Sequence, residues 1–186
     1  GRNRFGRLGN GTTTDSSVPV AVNAFTDGAA TAVSITAGRY HTCAVLNTGA
    51  VNCWGSNSDG QLGNDTTTDS SVPVAVNAFT DGVTAVSITA GSYHTCAVLN
   101  TGAVNCWGRN KNGQLGDSTT AGSLKPVAVR PFTDGVTAVS ITAGASHTCA
   151  VLNTGAVNCW GRNSNGRLGN GTTTDSSVPV TVNAFT

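Results

Sequence analysis

The sequence predicts an all-β fold of four-stranded antiparallel propeller blades, about three and a half repeats of 53 residues in an incomplete ring. Three observations predict it: a composition poor in helix formers, a strict internal period, and four short strand-like segments in every period. Glu and Met are absent, all nine acids are Asp, and Thr, Val, Ala, Asn and Gly dominate the 186 residues. Two strong helix formers are thereby missing, while β-branched and turn residues are abundant. The formal net charge of +1 argues against a nucleic-acid binder, which carries a basic face or tail. Apolar residues make up 38% but never form a run long enough for a membrane span.

The period is explicit. Trp54, Trp107 and Trp160 are 53 residues apart, and so are His41, His94 and His147. Residues 55–107 and 108–160 share 40 identities in 53 positions. The chain reads as a single repeat array of units 1–54, 55–107 and 108–160 with a partial unit 161–186; the first has one extra residue near positions 29–31. Residue 1 opens inside a motif that recurs later, without a signal peptide, so the chain is expected to be a fragment or a processed product.

Each element follows in order. Residues 72–76 alternate apolar and small side chains and include Pro73, which suits a strand start or an edge. Residues 83–90 are rich in β-branched side chains. Residues 94–99 and 103–107 flank Asn100-Thr101-Gly102, a three-residue hairpin turn with Gly where φ is positive. Residues 108–125 read as loop.

The hairpin register pairs the cysteines. With Asn47-Thr48-Gly49 as the loop, Val45 faces Val51 and Cys43 faces Cys53; Cys96/Cys106 and Cys149/Cys159 follow. Directly opposed antiparallel residues lie close enough for a disulfide, favoured here over free buried thiols or a metal site. Zinc sites use tighter spacing and gather four ligands. Each bridge would contribute roughly 2–3 kcal/mol by loop entropy. Disulfides in every repeat imply an oxidising compartment, hence an extracellular or cell-surface location.

Three motifs recur: Gly-x-x-His-Thr-Cys-Ala-Val-Leu (38–46, 91–99, 144–152), Gly-Ala-Val-Asn-Cys-Trp-Gly (49–55, 102–108, 155–161) and Gly-x-Asn-x-x-Gly-x-Leu-Gly (1–9, 55–63, 108–116, 161–169). Together they resemble the regulator of chromosome condensation repeat, in its bacterial-type form with a Cys pair. The resemblance implies a β-propeller, seven-bladed in familiar members, so three complete hairpins cannot close a ring. It also implies, for the founding member, nucleotide exchange on a small GTPase. That activity is disfavoured here, because the 53-residue register leaves no room for that member's β-wedge insertion or basic tail.

No unique catalytic set is visible, and no cofactor or metal is expected. The three His sit in tandem copies of one framework, so each is expected to satisfy a buried group in its own blade. Trp54 and its equivalents lie on the sheet face opposite the Cys, as inter-blade packing. The Gly-rich loop lacks the Lys-Ser/Thr of a phosphate-binding loop. Asn10, Asn64 and Asn170 open glycosylation sequons or are simply turns, and the acid pattern of 65–69, a weak cation-site candidate, is lost at 118–122.

The copies differ where the positive charge lies. Arg2, Arg4, Arg7, Arg109, Lys111, Arg162 and Arg167 fall in one loop class. Equivalent loops project to one rim, so these seven are the candidate binding arc for a protein or acidic polysaccharide. The expected function is a non-enzymatic interaction or assembly module of a secreted repeat protein. The alternative is a structural subunit of an extracellular polymer, self-associating through open blade ends.

Overall fold

The computed structural model describes residues 1–133 and 135–183; Asp134 and the last three residues of the partial unit lie outside the described residues. Three four-stranded antiparallel sheets follow one another along the chain, each a simple meander. The first holds β1 (Ala32–Ala37), β2 (His41–Leu46), β3 (Val51–Gly55) and β4 (Ser70–Ala75). The second holds β5 (Ala85–Ala90), β6 (His94–Leu99), β7 (Val104–Gly108) and β8 (Ser123–Ala128). The third holds β9 (Ala138–Ala143), β10 (His147–Leu152), β11 (Val157–Gly161) and β12 (Ser176–Thr181). Helical structure among the described residues amounts to two single 3-10 turns, and no helix is long and apolar enough to cross a membrane.

The central hairpins take the register expected from the turn. Gly102, at φ 78, turns the chain, its N–H donating to the Leu99 carbonyl at 2.8 Å. Cys43 then pairs with Cys53, Cys96 with Cys106 and Cys149 with Cys159. All three pairs are disulfides, with Cα separations of 4.1, 4.0 and 4.0 Å. Sequence reading misplaced the outer strands. The 83–90 segment starts pairing only at Ala85, and a bulge between Ala85 and Ser87 turns Val86 out to solvent. The 108–125 loop ends early, because β8 begins at Ser123. Pro73 lies inside β4, an edge strand bonded only to β3, where its missing N–H costs no ladder bond.

Each sheet straddles two sequence units: β1 to β3 come from 1–55, but β4 follows a loop that belongs to the next unit. The cores lie between sheets. Ile88 packs with Val45, Val51 and the Cys43–Cys53 bridge of the first sheet; Ile141 does the same on Val98, Val104 and Cys96–Cys106. The loop leaving β3 crosses to the next sheet, where a Cβ on Gly63 would stand 2.7 Å from the Trp107 indole nitrogen, so only Gly fits.

Candidate functional site

The loops acquire their shape from one buried Asn each. The Asn57 side-chain oxygen accepts from Leu62 N–H at 2.9 Å, its amide donates to the Thr66 carbonyl at 3.0 Å, and its backbone N–H reaches Asp69 at 2.7 Å. Asn3 and Asn163 repeat the whole pattern, and Asn110 its side-chain bonds. A loop held from inside leaves its x positions free to vary at the rim.

A bonded relay joins neighbouring sheets beneath those loops. Trp107 Nε1–H and the Thr95 hydroxyl both donate to the Gln61 carbonyl, at 3.0 and 2.8 Å. Because Thr95 has spent its proton there, its oxygen accepts from His41 Nε2–H at 2.8 Å. His94, Thr148, Gln114 and Trp160 repeat the arrangement. His41 and His94 therefore serve the next blade rather than their own, a correction to the sequence reading. The expected inter-blade duty of Trp is what Trp107 and Trp160 perform. Nδ1 of each His has no partner among the described residues, so a second proton has nowhere to bond. Burial accordingly lowers His41 to about 4, and burial and then the neighbouring histidines lower His94 to about 3. His147 is also lowered, by burial and then by Arg167. All three imidazoles are therefore held neutral at neutral pH.

The charged feature is on the rim above. Five of the eight arginines, Arg2, Arg4, Arg7, Arg39 and Arg109, line a groove of about 690 Å³ between the 1–9 loop and the first two sheets. Phe5, Tyr40 and Tyr93 supply its aromatic wall. Tyr40 and Tyr93 rings lie 5.0 Å apart, and Phe5 meets Tyr40 edge-on at 6.1 Å. Guanidinium groups cover these rings: Arg109 over Tyr93 at 3.9 Å, Arg39 over Tyr40 at 5.0 Å and Arg4 over Phe5 at 4.9 Å. Arg109 also forms a bidentate pair with Asp59, at 2.8 and 2.9 Å, which raises its pKa further. Arg7 donates to the Arg4 and Arg39 carbonyls. Phe5 sits at φ 73, a strained conformation for a bulky residue.

The expected arc is thus only partly gathered. Arg2, Arg4, Arg7 and Arg109 meet in the groove, whereas Lys111, Arg162 and Arg167 do not line it. Arg162 turns back to Ser164 and Arg167 to Asn165, at 3.1 and 3.0 Å. Arg39 was missed because it lies outside the loop class that was counted. The signal was present: it occupies an x position of Gly-x-x-His, where the other copies carry Ser92 and Ala145.

Comparison with known proteins agrees with this geometry. A family model described as the regulator of chromosome condensation (RCC1) repeat matches residues 1–45, 48–98, 101–151 and 154–186. A second model of that description matches 32–61, 85–114 and 138–167. The ultraviolet-B receptor UVR8 of Arabidopsis thaliana is 34% identical over 181 residues, 97% of this chain and 40% of the receptor. The human E3 ubiquitin-protein ligase HERC2 is 29% identical over 185 residues, 100% of this chain but 4% of the ligase. The chain therefore spans less than half the length of either relative. Prp20p from Saccharomyces cerevisiae superposes with a TM-score of 0.72 at 23% identity, over 82% of this chain and 38% of that one. This last likeness concerns the fold alone.

Proposed function

The chain belongs to the regulator of chromosome condensation (RCC1) repeat family, and on that premise we propose that it is a non-enzymatic protein-interaction module of a secreted propeller protein. One observation carries the reading: the buried relay recurs in successive copies, while Arg2, Arg4 and Arg39, at positions that differ between copies, meet at one groove. His41, Thr95 and Trp107 are buried in the relay, whereas Arg2, Arg4 and Arg39 are exposed at the groove. Rigid repeats with variable edge residues favour binding over chemistry. The three disulfides support assembly in an oxidising compartment.

Site-specific photo-cross-linking tests this. A photoreactive residue at Ser58, on the groove rim, is expected to give discrete protein adducts in the extracellular medium of the source organism. The same residue at Thr101, in a turn at the opposite end of the sheets, is expected to give none. Equal labelling from both ends, or no adduct from either, would overturn the reading.

The uncovered sheet faces favour a second reading, assembly. Ile35 is 64% exposed where its equivalents Ile88 and Ile141 are 7% and 8% exposed. A further blade, from the same polypeptide or another copy, would cover it. Light scattering on residues 1–186 tests this: concentration-dependent association, weakened by Ile35→Ser, is expected, and a strict monomer would exclude it.

A further inference from the structure

We infer that the arginine-lined groove binds an acidic polypeptide segment through carboxylates of Asp or Glu side chains. The inference rests on the interaction reading above and adds the ligand class. Charge comes first. The whole chain carries +1, yet five guanidinium groups converge on this groove. The acids nearby are fewer: Asp59 pairs with Arg109, Asp69 lines the groove while accepting the Asn57 N–H, and Asp15 stands beside Arg4. Among the described residues the guanidinium groups of Arg2, Arg4 and Arg39 donate to no protein acceptor, and five guanidinium groups outnumber these three carboxylates, leaving a net local excess of positive charge. A groove focuses such a field better than a flat face.

Geometry then selects the ligand. Nucleobases are recognised by stacking on open ring faces. Here those faces are occupied, since guanidinium groups lie over Phe5, Tyr40 and Tyr93. The Arg4 and Arg39 forks, stacked on rings with donors that no described protein group accepts, lose less freedom on binding. Such a fork matches a carboxylate in a bidentate fashion, and the site contains a built example of that contact in the Arg109–Asp59 pair. The strained Phe5 belongs to the same wall, edge-on to Tyr40, consistent with a surface held in shape for a ligand.

The repeats supply variants that the framework already accommodates. Position 2 is Ser at 56, position 4 is Ser at 58 and 164, and position 39 is Ala at 145. The triple variant Arg2→Ser/Arg4→Ser/Arg39→Ala therefore borrows residues from sister copies and is expected to fold, which circular dichroism and a thermal melt check. Fluorescence anisotropy with a labelled oligo-glutamate peptide gives the readout, with an oligogalacturonate and an oligothymidylate as competitors. Arg39→Ala is expected to weaken peptide binding about tenfold and the triple variant more than about 100-fold, at roughly one charge-assisted hydrogen bond per guanidinium. Arg162→Ser, outside the groove, is expected to leave it unchanged, and binding should weaken as salt rises to about 0.3 M. Peptide binding unaltered in the folded triple variant would overturn the inference. So would displacement by the oligogalacturonate or the oligothymidylate at lower concentration than unlabelled peptide. Failure of the unsubstituted protein to bind the peptide, with Ser58 cross-linking intact, would remove this ligand class alone and leave the interaction reading standing.

Discussion

Residues 12–28 and 66–82 have the same sequence and different structures. In the second copy Ser70–Ala75 is strand β4, with Val74 opposite Cys53 and Val74, Val76 and Phe79 packed on the core. In the first copy residues 16–21 form no strand, and Val18 is 65% exposed. The loops that precede them are nonetheless alike: Asn3 N–H reaches Asp15 at 2.6 Å as Asn57 N–H reaches Asp69 at 2.7 Å. The loop closes on itself, whereas the strand exists only beside a hairpin that can receive it. Strand propensity is a property of the neighbour as much as of the segment.

Acid should widen the difference between covered and uncovered copies most. His41 and His94, each covered by a following sheet, have folded-state pKa values of about 4 and about 3, below the ordinary 6.5. The unfolded chain thus binds more protons below that value, and stability falls with pH. The contribution is whole above about pH 7 and is lost progressively from about 6.5 down to about 4, on the order of 3 kcal/mol for His41 alone at ~1.4 kcal/mol per unit. Urea midpoints at neutral and acid pH measure it. His94→Gln should lower neutral stability but flatten the profile, and an unchanged slope would contradict the assignment.

Next in size is Trp107→Ala, which empties the fully buried site under the 55–63 loop. It should cost about 3–5 kcal/mol in urea denaturation. Trp54→Ala should cost less, because the segment following its covering loop is not anchored as a strand.

Ile88→Ala against Ile35→Ala compares one side chain with and without a facing sheet. The first should cost about 2–4 kcal/mol and the second less than about 0.5 in the same assay. The finest cut is Val74→Ala against Val20→Ala, about 1–2 kcal/mol against no measurable change. Equal losses within either pair would mean that the uncovered copy is packed after all.

What could be read from sequence was what closes locally or repeats. The turn at Asn47-Thr48-Gly49 dictated the Cys43–Cys53 register, and the period dictated how often it recurs. The start of β4 could not be read, since its sequence is strand in one place and not in another. The partner of His41 was assigned to the wrong blade because the contact spans 54 residues, one more than the period, and joins sheets rather than strands. The groove was half legible. Charge counting by loop class found four of its arginines, but Arg39 and the tyrosines enter from a turn that meets those loops only in three dimensions.

The straddling of sheets across sequence units bears on how such a chain changes its length. The relay contacts between sheets recur one period apart, as His41–Thr95 and His94–Thr148 do. Unequal recombination between two gene copies, at any matched codon, removes or adds one whole period. The junction then lies inside a unit, yet the strand donated to one sheet and the loop sent to the next are both regenerated. Meanwhile the variable rim positions are reshuffled into new neighbours. A lineage could thus exchange its recognition surface while inheriting its framework intact.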